Sequence, residues 1–547
     1  MYKLRSFVFG ASVCVALFMG MGAVAQTMPP VQPDPPKNWH TLDLKADGYF
    51  GISLNEAYDF IKGKKSKTIL VAIIDSGVDT LQKDLQGVLW VNPKEIPGNG
   101  KDDDHNGYID DVHGWNFLGG KDGKADLNET SEEIRDYYRL KPKYGNVTSA
   151  PAGDEREYAF WLKVKKSQDS TLKKSTTDLE ELKPEMSALM VTNGYIKRTL
   201  NLGPSASFSI KDLDKIQSTN DTLTQSKYLW NLVFQQEGTN ATNTSVLKDL
   251  SEYIEKLNND INPDLTSRKD IVGDDPDVNN GKPYGNNILK YNDASHGTGV
   301  AGLIGAKRNN GYGIDGVADN VHIMVLKAIP NGDEYDKDIA NAIHYAVDNG
   351  AKIINMSFGK NISPHKAWVD EAFKYAAAHD VLLVQASGND NLDVDVKPQY
   401  PNRNYLDTSK VVADNVINVG ASGPLNDTTL AAAFSNYGKK NVDVFAPGVK
   451  VTSIDMGNEF QTADGTSFSS PIVAGVAALV LEYYPKLSAA QLKQVILQSA
   501  TPLTGTMVNR PGSNVKVDFT TLSKTGGIVN AYKALQIAAT MKGERKD

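Results

Sequence analysis

Cysteine is almost absent from this sequence of 547 residues: the single one, Cys14, lies near the beginning of the chain. A disulfide framework is therefore excluded, and stability has to come from packing or from bound ions. Dense basic runs are also missing, and the formal net charge is −8, which argues against a nucleic-acid partner. With 40% hydrophobic and 23% charged residues, the composition is that of a folded globular protein.

The first 25 residues have the pattern of a secretory signal peptide. Lys3 and Arg5 precede an apolar run, and Ala23-Val24-Ala25 ends that run as a cleavage site. The run nearly reaches the roughly 20 residues that span a membrane, so an uncleaved anchor is the alternative. We predict cleavage before Gln26, no stable membrane insertion afterwards, and a final location in the periplasm or outside the cell.

Short apolar runs rich in β-branched residues predict buried parallel strands. They lie at 68–74, 321–328, 352–356, 381–386 and 416–419. Helical periodicity over 336–349 and 364–379 connects some of them into successive strand-helix-strand units. The expected fold is therefore α/β, with a doubly wound parallel sheet that binds ligands beyond the carboxyl ends of its strands.

The sequence between 121 and 284 is richer in charged, helix-forming residues. Apolar residues recur at helical spacing in 154–166, 179–190 and 244–259. We interpret this stretch as a mostly helical insertion, and a partly disordered charged linker is the alternative. The predicted organisation is a signal peptide over 1–25, an α/β domain over 26–120 and 285–540, the insertion over 121–284, and a polar tail over 541–547.

Three separated segments carry residues suited to nucleophilic catalysis. Asp75 follows the first buried strand in IIDSGVD, where a strand-end carboxylate can hold a partner rigidly. His296 opens the small-residue helix start HGTGVAG, and Ser467 lies in GTSFSSPIVAGVAAL, directly before an apolar helix. Pro471 suits the first turn of that helix, so the Ser467 hydroxyl should lie at a helix N-terminus, where free N–H groups favour an oxyanion.

These segments, in the order aspartate, histidine, serine, resemble the subtilisin-like serine protease family. The resemblance implies a sheet of the subtilisin type and an endopeptidase that forms an acyl-enzyme on Ser467, with His296 as general base and Asp75 orienting it. The strand that ends in ASGND resembles the oxyanion-hole segment of the family. This likeness implies that the side-chain amide of Asn389 donates to the oxyanion.

The resemblance also bears on the substrate, which should be an unfolded or flexible polypeptide. The segment that looks like the family's edge for aligning such a chain consists of Ser357, Phe358 and Gly359. A weaker candidate for the opposing edge is 331–333. Asp390, Asp333 and Glu334 suggest acidic subsites, and hence a preference for basic or polar residues near the cleaved bond.

Oxygen donors at alternate positions in KDDDHNGYIDD predict a calcium-binding loop, and an ion-free acidic turn is the alternative. The candidate ligands are Asp102, Asp104, Asn106, the carbonyl of Tyr108, and Asp110 or Asp111. A second calcium site is implied by the family resemblance, with Asp84 and Asn310 among its ligands. We expect both ions to be structural.

The number of residues between the aspartate and the histidine is much larger in this chain than in minimal members of the family. Asp75 and His296 are 221 residues apart, because the predicted insertion lies between them. The insertion is a candidate for gating the cleft or for docking a partner or an inhibitor. A catalytically silent exported binding protein is the alternative function, and the intact set of Asp75, His296, Asn389 and Ser467 argues against it.

Overall fold

The computed structural model describes residues 34–217, 220–237, 241–406 and 411–545. The predicted signal peptide, Cys14 and the cleavage site before Gln26 lie outside the described residues. The described chain forms two compact units. The smaller consists of 133–264, and the larger of 34–132 together with 265–545.

The larger unit is built on a seven-stranded parallel sheet with the order β2-β3-β1-β4-β5-β6-β7. Its strands are β1 (Ile69–Asp75), β2 (Gly114–Asn116), β3 (Val321–Lys327), β4 (Ile353–Met356), β5 (Leu382–Ala386), β6 (Val416–Ser422) and β7 (Val444–Pro447). Two antiparallel pairs lie outside it, β8 (Val451–Ile454) with β9 (Phe460–Ala463) and β10 (Met507–Asn509) with β11 (Lys516–Asp518). The predicted α/β fold with a parallel sheet is confirmed.

The helices of the described residues follow in chain order. They are α1 (Leu44–Asp47), α2 (Leu54–Ile61), α3 (Glu132–Tyr144), α4 (Glu155–Thr199), α5 (Ile210–Leu213), α6 (Asp221–Glu237), α7 (Asn243–Ile261), α8 (Ser267–Ile271), α9 (Ser295–Gly305), α10 (Asp336–Asp348), α11 (Lys366–Ala378), α12 (Thr466–Tyr483), α13 (Ala489–Ser499) and α14 (Ala531–Ala538). Four short 3₁₀ turns complete the described secondary structure. The helices predicted over 336–349 and 364–379 are confirmed as α10 and α11.

Strand β1 is buried on both faces, which explains why its sequence is apolar without alternation. Val71 and Ile73 pack in a core with α9, α12 and α13, whereas Ala72 and Ile74 pack in a second core with α10 and α11. Because β3 and β4 flank β1 on opposite sides, the chain reverses its direction across the sheet there. Sheets of this kind bind ligands at such a point, and Asp75 is the last residue of β1.

Helix α12 is the central helix of the larger unit. Within the described part of the chain it is the one helix long and apolar enough to cross a membrane, yet 89% of it is buried inside the protein, as in a core helix. It begins at Thr466, so Pro471 is its sixth residue. The prediction that Pro471 lies in the first turn was wrong, because the polar residues before it already have helical geometry.

The smaller unit contains five helices, α3 to α7, apart from the first residue of α3. The 45-residue α4 packs against α6 and α7. Phe208, Trp230 and Phe234 form an aromatic cluster in the centre of a separate apolar core. The Tyr253 hydroxyl donates to Asp178 at 3.0 Å, which ties α7 to α4.

The boundaries of this unit differ from those of the expected insertion. Residues 121–132 and 265–284 belong to the larger unit. The Glu129 N–H donates to the Asn331 carbonyl at 2.8 Å, and the buried Arg268 forms an ion pair with Asp338 at 2.6 Å. The charge-rich composition of 121–284 does not reveal these long-range contacts. The expected insertion is therefore longer at both ends than the smaller unit, 133–264.

Candidate active site

A hydrogen-bonded pair of side chains lies at the carboxyl end of β1. His296 Nδ1 is 2.7 Å from Asp75 Oδ1, which also accepts the Ser76 N–H at 2.8 Å. His296 is the second residue of α9, and the next residue allows the helix to approach closely. A Cβ atom on Gly297 would lie 2.1 Å from the carbonyl oxygen of Gly77. Two segments 221 residues apart are thus joined at one point.

The two members of this pair differ in exposure. The Asp75 side chain is 2% exposed, whereas that of His296 is 39% exposed. Burial of the imidazole favours its neutral form, but the charge of Asp75 and the hydrogen bond to it outweigh burial and raise the pKa of His296 above 6.5. Because Nδ1 faces Asp75, Nε2 is the nitrogen that remains for proton exchange with another group.

Ser467 is the second residue of α12 and is half-buried. The ring of the following residue, Phe468, meets the His296 ring edge-on, with centroids 6.1 Å apart. The start of α12 and the start of α9 are therefore neighbours. A Cβ atom on Gly465 would lie 2.8 Å from Ser467 Oγ, so a glycine leaves the space in which this hydroxyl lies.

The carbonyl of Ser467 has a partner outside its helix. In an α-helix it would accept the N–H of the residue four positions later, but that residue is Pro471, which has none. The Ser357 hydroxyl donates to this carbonyl at 2.9 Å and accepts from Asn355 Nδ2 at 2.9 Å. The buried side chain of Ser357, which directly follows β4, therefore faces the start of α12.

Asn389 follows β5, and its amide has a fixed orientation. Its Oδ1 accepts both the N–H and the hydroxyl of Thr466, each at 2.9 Å. Its Nδ2 is turned the other way and lies 3.7 Å from the position of a Cβ on Gly465. Since Ser467 Oγ flanks that same position, the Asn389 amide and the Ser467 hydroxyl face one space.

The predicted substrate edge reaches the start of α12 through Ser357. Phe358 is half-buried and Gly359 is exposed, and the two line a cleft at the carboxyl ends of β4 and β5. The opposing candidate, 331–333, already has backbone partners. The Asn331 N–H donates to the carbonyl of Leu127 at 2.7 Å, and its carbonyl accepts from Glu129. One edge of this segment therefore pairs with 127–129, and 331–333 stays a prediction for the edge that opposes 357–359.

The three acidic residues assigned to substrate subsites have different surroundings. Glu334 is 2% exposed and burial raises its pKa, so its carboxyl group is hardly accessible to a ligand. Asp333 accepts the Glu132 N–H at 2.8 Å. Asp390 is exposed and accepts from Nε2 of Gln399, which lines the cleft, at 2.8 Å. Of the three, Asp390 has the clearest access to a ligand.

The acidic loop brings Asp102 and Asp104 together with Glu95, which the sequence pattern did not indicate. One carboxylate oxygen of each lies within 4.8 Å of the others. Glu95 is 7% exposed, and within the described residues neither its Oε2 nor the buried Oδ2 of Asp104 has a hydrogen-bond partner, while Lys94 Nζ lies 3.9 Å from Asp104 Oδ2. Burial raises the pKa of Glu95. Glu95 lies seven residues before Asp102, and no motif spacing includes it.

The other candidates in this loop are engaged differently. The Asp110 carboxylate accepts backbone N–H groups of 98–100, at 2.6 Å for the shortest. Asn106 accepts the Tyr108 N–H at 2.7 Å and donates to Asp111 at 3.0 Å. These contacts shape the loop, and the structure does not bring Asp110 or Asp111 into the group formed around Glu95.

Asp84 and Asn310 do lie together. Asn310 Nδ2 donates to Asp84 Oδ1 at 2.6 Å, and the Ile314 N–H donates to Oδ2 at 2.9 Å. The Asp84 carboxylate is fully buried, and burial raises its pKa although both hydrogen bonds oppose this. A buried carboxylate held by neutral donors is an arrangement that a cation would stabilise.

Comparison with known proteins finds one family, and relatives that are named as a serine proteinase and a subtilisin. The family model described as the subtilase family matches residues 66–514. A thermophilic serine proteinase of Bacillus sp. (strain AK1) is 38% identical over 213 residues, which cover 39% of this chain and 48% of that protein. Subtilisin Savinase of Lederbergia lenta is 36% identical over 212 residues, which cover 39% of this chain and 72% of that protein.

The solved structures also include a similar chain, titled as proteases from Pseudoalteromonas arctica. It is 27% identical, with a TM-score of 0.35, and the match covers 44% of this chain and 70% of that one. The present chain spans about half the length of the first curated relatives that it matches, 48% and 51%.

Proposed function

Because the chain belongs to the subtilase family, we propose that it is a serine endopeptidase that hydrolyses peptide bonds in polypeptides. The observation that carries this proposal is the 2.7 Å pairing of Asp75 with His296 at the carboxyl end of β1. Beside it, Ser467 and Asn389 face one space at the start of a buried helix. This arrangement contains a nucleophile, a base and an oxyanion donor.

In the proposed reaction, Ser467 Oγ attacks the peptide carbonyl while His296 Nε2 takes its proton. His296 then gives this proton to the leaving amine, and an acyl-enzyme remains on Ser467. Water hydrolyses the acyl-enzyme by the same route, with His296 again as the base. Asp75 keeps its charge throughout, fixes the tautomer through Nδ1 and stabilises the imidazolium that forms in each step.

The oxyanion of the tetrahedral intermediate accepts from Asn389 Nδ2 and from the Ser467 N–H. The bond of Asn389 Oδ1 to Thr466 supports this role, because it holds the donor end of the amide toward the reaction space before substrate binds. A preorganised donor costs no rearrangement during the reaction, and removing one typically reduces turnover about 100- to 1,000-fold. We expect a loss of this size for Asn389→Ala.

The substrate would lie along the backbone of Ser357, Phe358 and Gly359. We also propose a preference for basic or polar residues near the cleaved bond, which now rests on Asp390 alone. Cleavage of a peptide library should show this preference, and Asp390→Asn should weaken it. A purely large-apolar preference in both enzymes would remove the idea.

We propose that the chain is exported, with residues 1–25 removed, and acts in the periplasm or outside the cell. Pulse-labelling and N-terminal sequencing test this proposal. The mature protein should begin at Gln26 and lie outside the cytoplasm. A membrane-retained chain that keeps its N-terminus would identify the first 25 residues as an anchor instead.

We further propose two structural calcium ions. One is held by Glu95, Asp102 and Asp104, because two buried carboxylate oxygens of this group lack hydrogen-bond partners among the described residues. The other is held at Asp84 with Asn310. Calcium accepts six to eight oxygen ligands, so carbonyl groups and water would complete both sites.

Thermal unfolding with EDTA or calcium chloride tests the two calcium sites. EDTA should lower the Tm of the parent protein, and Glu95→Gln or Asp84→Asn should each remove part of the response. Asp122→Asn, at an exposed carboxylate that pairs with Lys124, is the matched control and should respond like the parent. A parent Tm that is indifferent to EDTA would exclude both ions.

The decisive test of the peptidase proposal compares the mature chain with its Ser467→Ala variant. Casein hydrolysis and labelling by a serine-directed phosphonate should occur in the parent and be lost in the variant. Ser513→Ala, in an exposed turn, is the matched control and should keep both properties. Equal behaviour of parent and Ser467→Ala would favour a silent binding protein built on this fold.

A further inference from the structure

A buried lysine lies next to the Asp75–His296 pair, and the mechanism above does not use it. Lys327 is the last residue of β3 and is paired in register with Asp75 on β1. Its side chain is 0% exposed. The Nζ atom donates to the Ser76 carbonyl and to Asp293 Oδ2, each at 2.6 Å. Asp293 stands three residues before His296, so the lysine connects the segments that carry both members of the pair.

The charges around Lys327 are poorly solvated. Oδ2 of Asp75 and Oδ1 of Asp293 are buried and have no hydrogen-bond partner within the described residues. Burial lowers the pKa of Lys327, opposed by the charges of Asp293 and Asp75. Burial raises the pKa of Asp293, opposed by Lys327 and reinforced by Asp75. The three groups therefore influence one another strongly, since charges interact more strongly away from water.

We propose that Lys327 and Asp293 form a balanced charge pair beside Asp75, in which each charge offsets the effect of the other on the proton affinity of His296, with Lys327 acting as a positioning residue for the turn after β1. This inference rests on the proposed function, in which His296 is the base. The lysine charge repels an imidazolium and attracts the Asp75 carboxylate, whereas the Asp293 charge does the reverse. The bond to the Ser76 carbonyl fixes the backbone beside the Asp75 carboxylate.

The other titratable groups near Lys327 and His296 have partners or protonation states of their own. The Tyr291 ring lies 5.8 Å from Lys327 Nζ, and burial raises the pKa of this phenol, so it stays neutral. Asp79, on the turn after β1, forms an ion pair with Lys290 at 2.7 Å. Across the site, Asp455 accepts the hydroxyl of Ser295, the residue before His296, at 2.6 Å. These groups are unchanged in the variants below.

The two charges predict shifts of opposite sign. Asp293→Asn keeps the shape of the side chain and removes a negative charge, so the pKa of His296 should fall by about half a pH unit or more. Lys327→Met removes the positive charge, so that pKa should rise at pH values at which Asp293 stays ionised. The double variant removes both charges and should return the pKa to near its parent value. A merely structural role does not produce this alternation of sign.

The shifts are measured by NMR titration of the full-length mature chain with labelled histidine. All proteins carry Ser467→Ala to prevent self-digestion, and a His296→Gln variant assigns the resonance. Lys215→Met, which removes an exposed lysine in the smaller unit, is the matched control and should leave the titration unchanged. Circular dichroism establishes that each variant is folded.

Lys327→Met leaves Asp293 buried without its cation, and this variant alone can fail to fold. If Lys327→Met does not fold, the proposal is tested by comparing the pKa of His296 in Asp293→Asn with that in the double variant. A lower pKa in the first and a return in the second support the proposal, and equal values in the parent, Asp293→Asn and the double variant overturn it. The titration needs no turnover, so it is independent of the outcome of the casein test.

Discussion

Gly465 shows how much the candidate site depends on a missing side chain. A Cβ atom at this position would lie 2.8 Å from Ser467 Oγ, so Gly465→Ala should push the hydroxyl out of its present rotamer. We expect kcat/KM to fall about 100-fold, because a displacement of about 1 Å at a reacting group has an effect of that size. Steady-state kinetics on a chromogenic peptide measure this loss.

The matched control for this prediction is Gly203→Ala in the smaller unit, where a Cβ meets nothing within 4 Å. Both variants should unfold within a few degrees of the parent. An unchanged kcat/KM in Gly465→Ala would show that Ser467 does not act from its present rotamer.

At the scale of single residues, the sequence predicted those whose neighbours along the chain form a pattern. Asp75, His296 and Ser467 each stand at the junction of an apolar run and a turn. Glu95 and Lys327 have no such context, because their partners lie far away in the sequence and are adjacent only through the sheet and the loop. Their charges were visible in the sequence, but their burial was not.

Among the elements, the start of α12 yields a prediction in two steps. Ser357→Ala removes the donor to the Ser467 carbonyl, and a buried carbonyl without a partner costs about 1 to 3 kcal/mol. The Tm should therefore fall by several degrees. Adding Pro471→Ala restores a backbone N–H four residues after Ser467, so the double variant should recover part of this loss. Calorimetry of the parent, the two single variants and the double variant measures the coupling.

If the changes in stability caused by Ser357→Ala and Pro471→Ala are purely additive, the Ser357 hydroxyl does not compensate for the N–H that Pro471 lacks. In that case packing alone would accommodate the proline in the second turn of α12.

Glu482, in the same helix, makes the stability of the folded protein depend on pH. Burial raises the pKa of this carboxyl from 4.5 to about 9, so the folded protein keeps it protonated while the unfolded chain ionises. Stability from this group is present below about pH 4.5 and is lost progressively toward pH 9. Glu482→Gln keeps an acceptor for the Asn320 N–H. It should raise the Tm at pH 9 and leave it unchanged at pH 4.

Thermal melts at both pH values check this sign. Glu459→Gln, at an exposed position, serves as the control and should match the parent throughout. A Glu482→Gln protein that is less stable than the parent at pH 9 would contradict the raised pKa.

Element prediction succeeded where an apolar run was long enough to be distinctive. The five runs recognised in the sequence all became strands of the sheet. Strand β2 has three residues, and β7 has four that end in Ala-Pro, so neither forms a continuous apolar run rich in β-branched residues. The two helical patterns at 154–166 and 179–190 belong to one 45-residue helix, because Pro184 does not end it, whereas the pattern at 244–259 forms the separate helix α7.

At the scale of the whole molecule, the separate core of the smaller unit leads to a further prediction. A fragment of residues 133–264 has its own apolar cluster around Trp230, so it should fold without the rest of the chain. Far-ultraviolet circular dichroism should show a helical spectrum with a cooperative thermal transition. Trp230→Ala should weaken that transition, since it removes a fully buried aromatic side chain. A gradual, non-cooperative loss of signal in the fragment would show that its helices need the larger unit.

The position of β1 in the sheet determines when the candidate active site can form during synthesis. This strand is made early, yet its neighbours β3 and β4 are made late, and Thr68 bonds to a residue 252 positions further along. Contacts of such long range form slowly, because most of the chain must be present before they can close. Asp75 is synthesised well before His296 and Ser467, so the three residues can come together only after the segment with Ser467 has been made. On the peptidase proposal, a growing chain could not cut its neighbours or itself until its own sheet is complete.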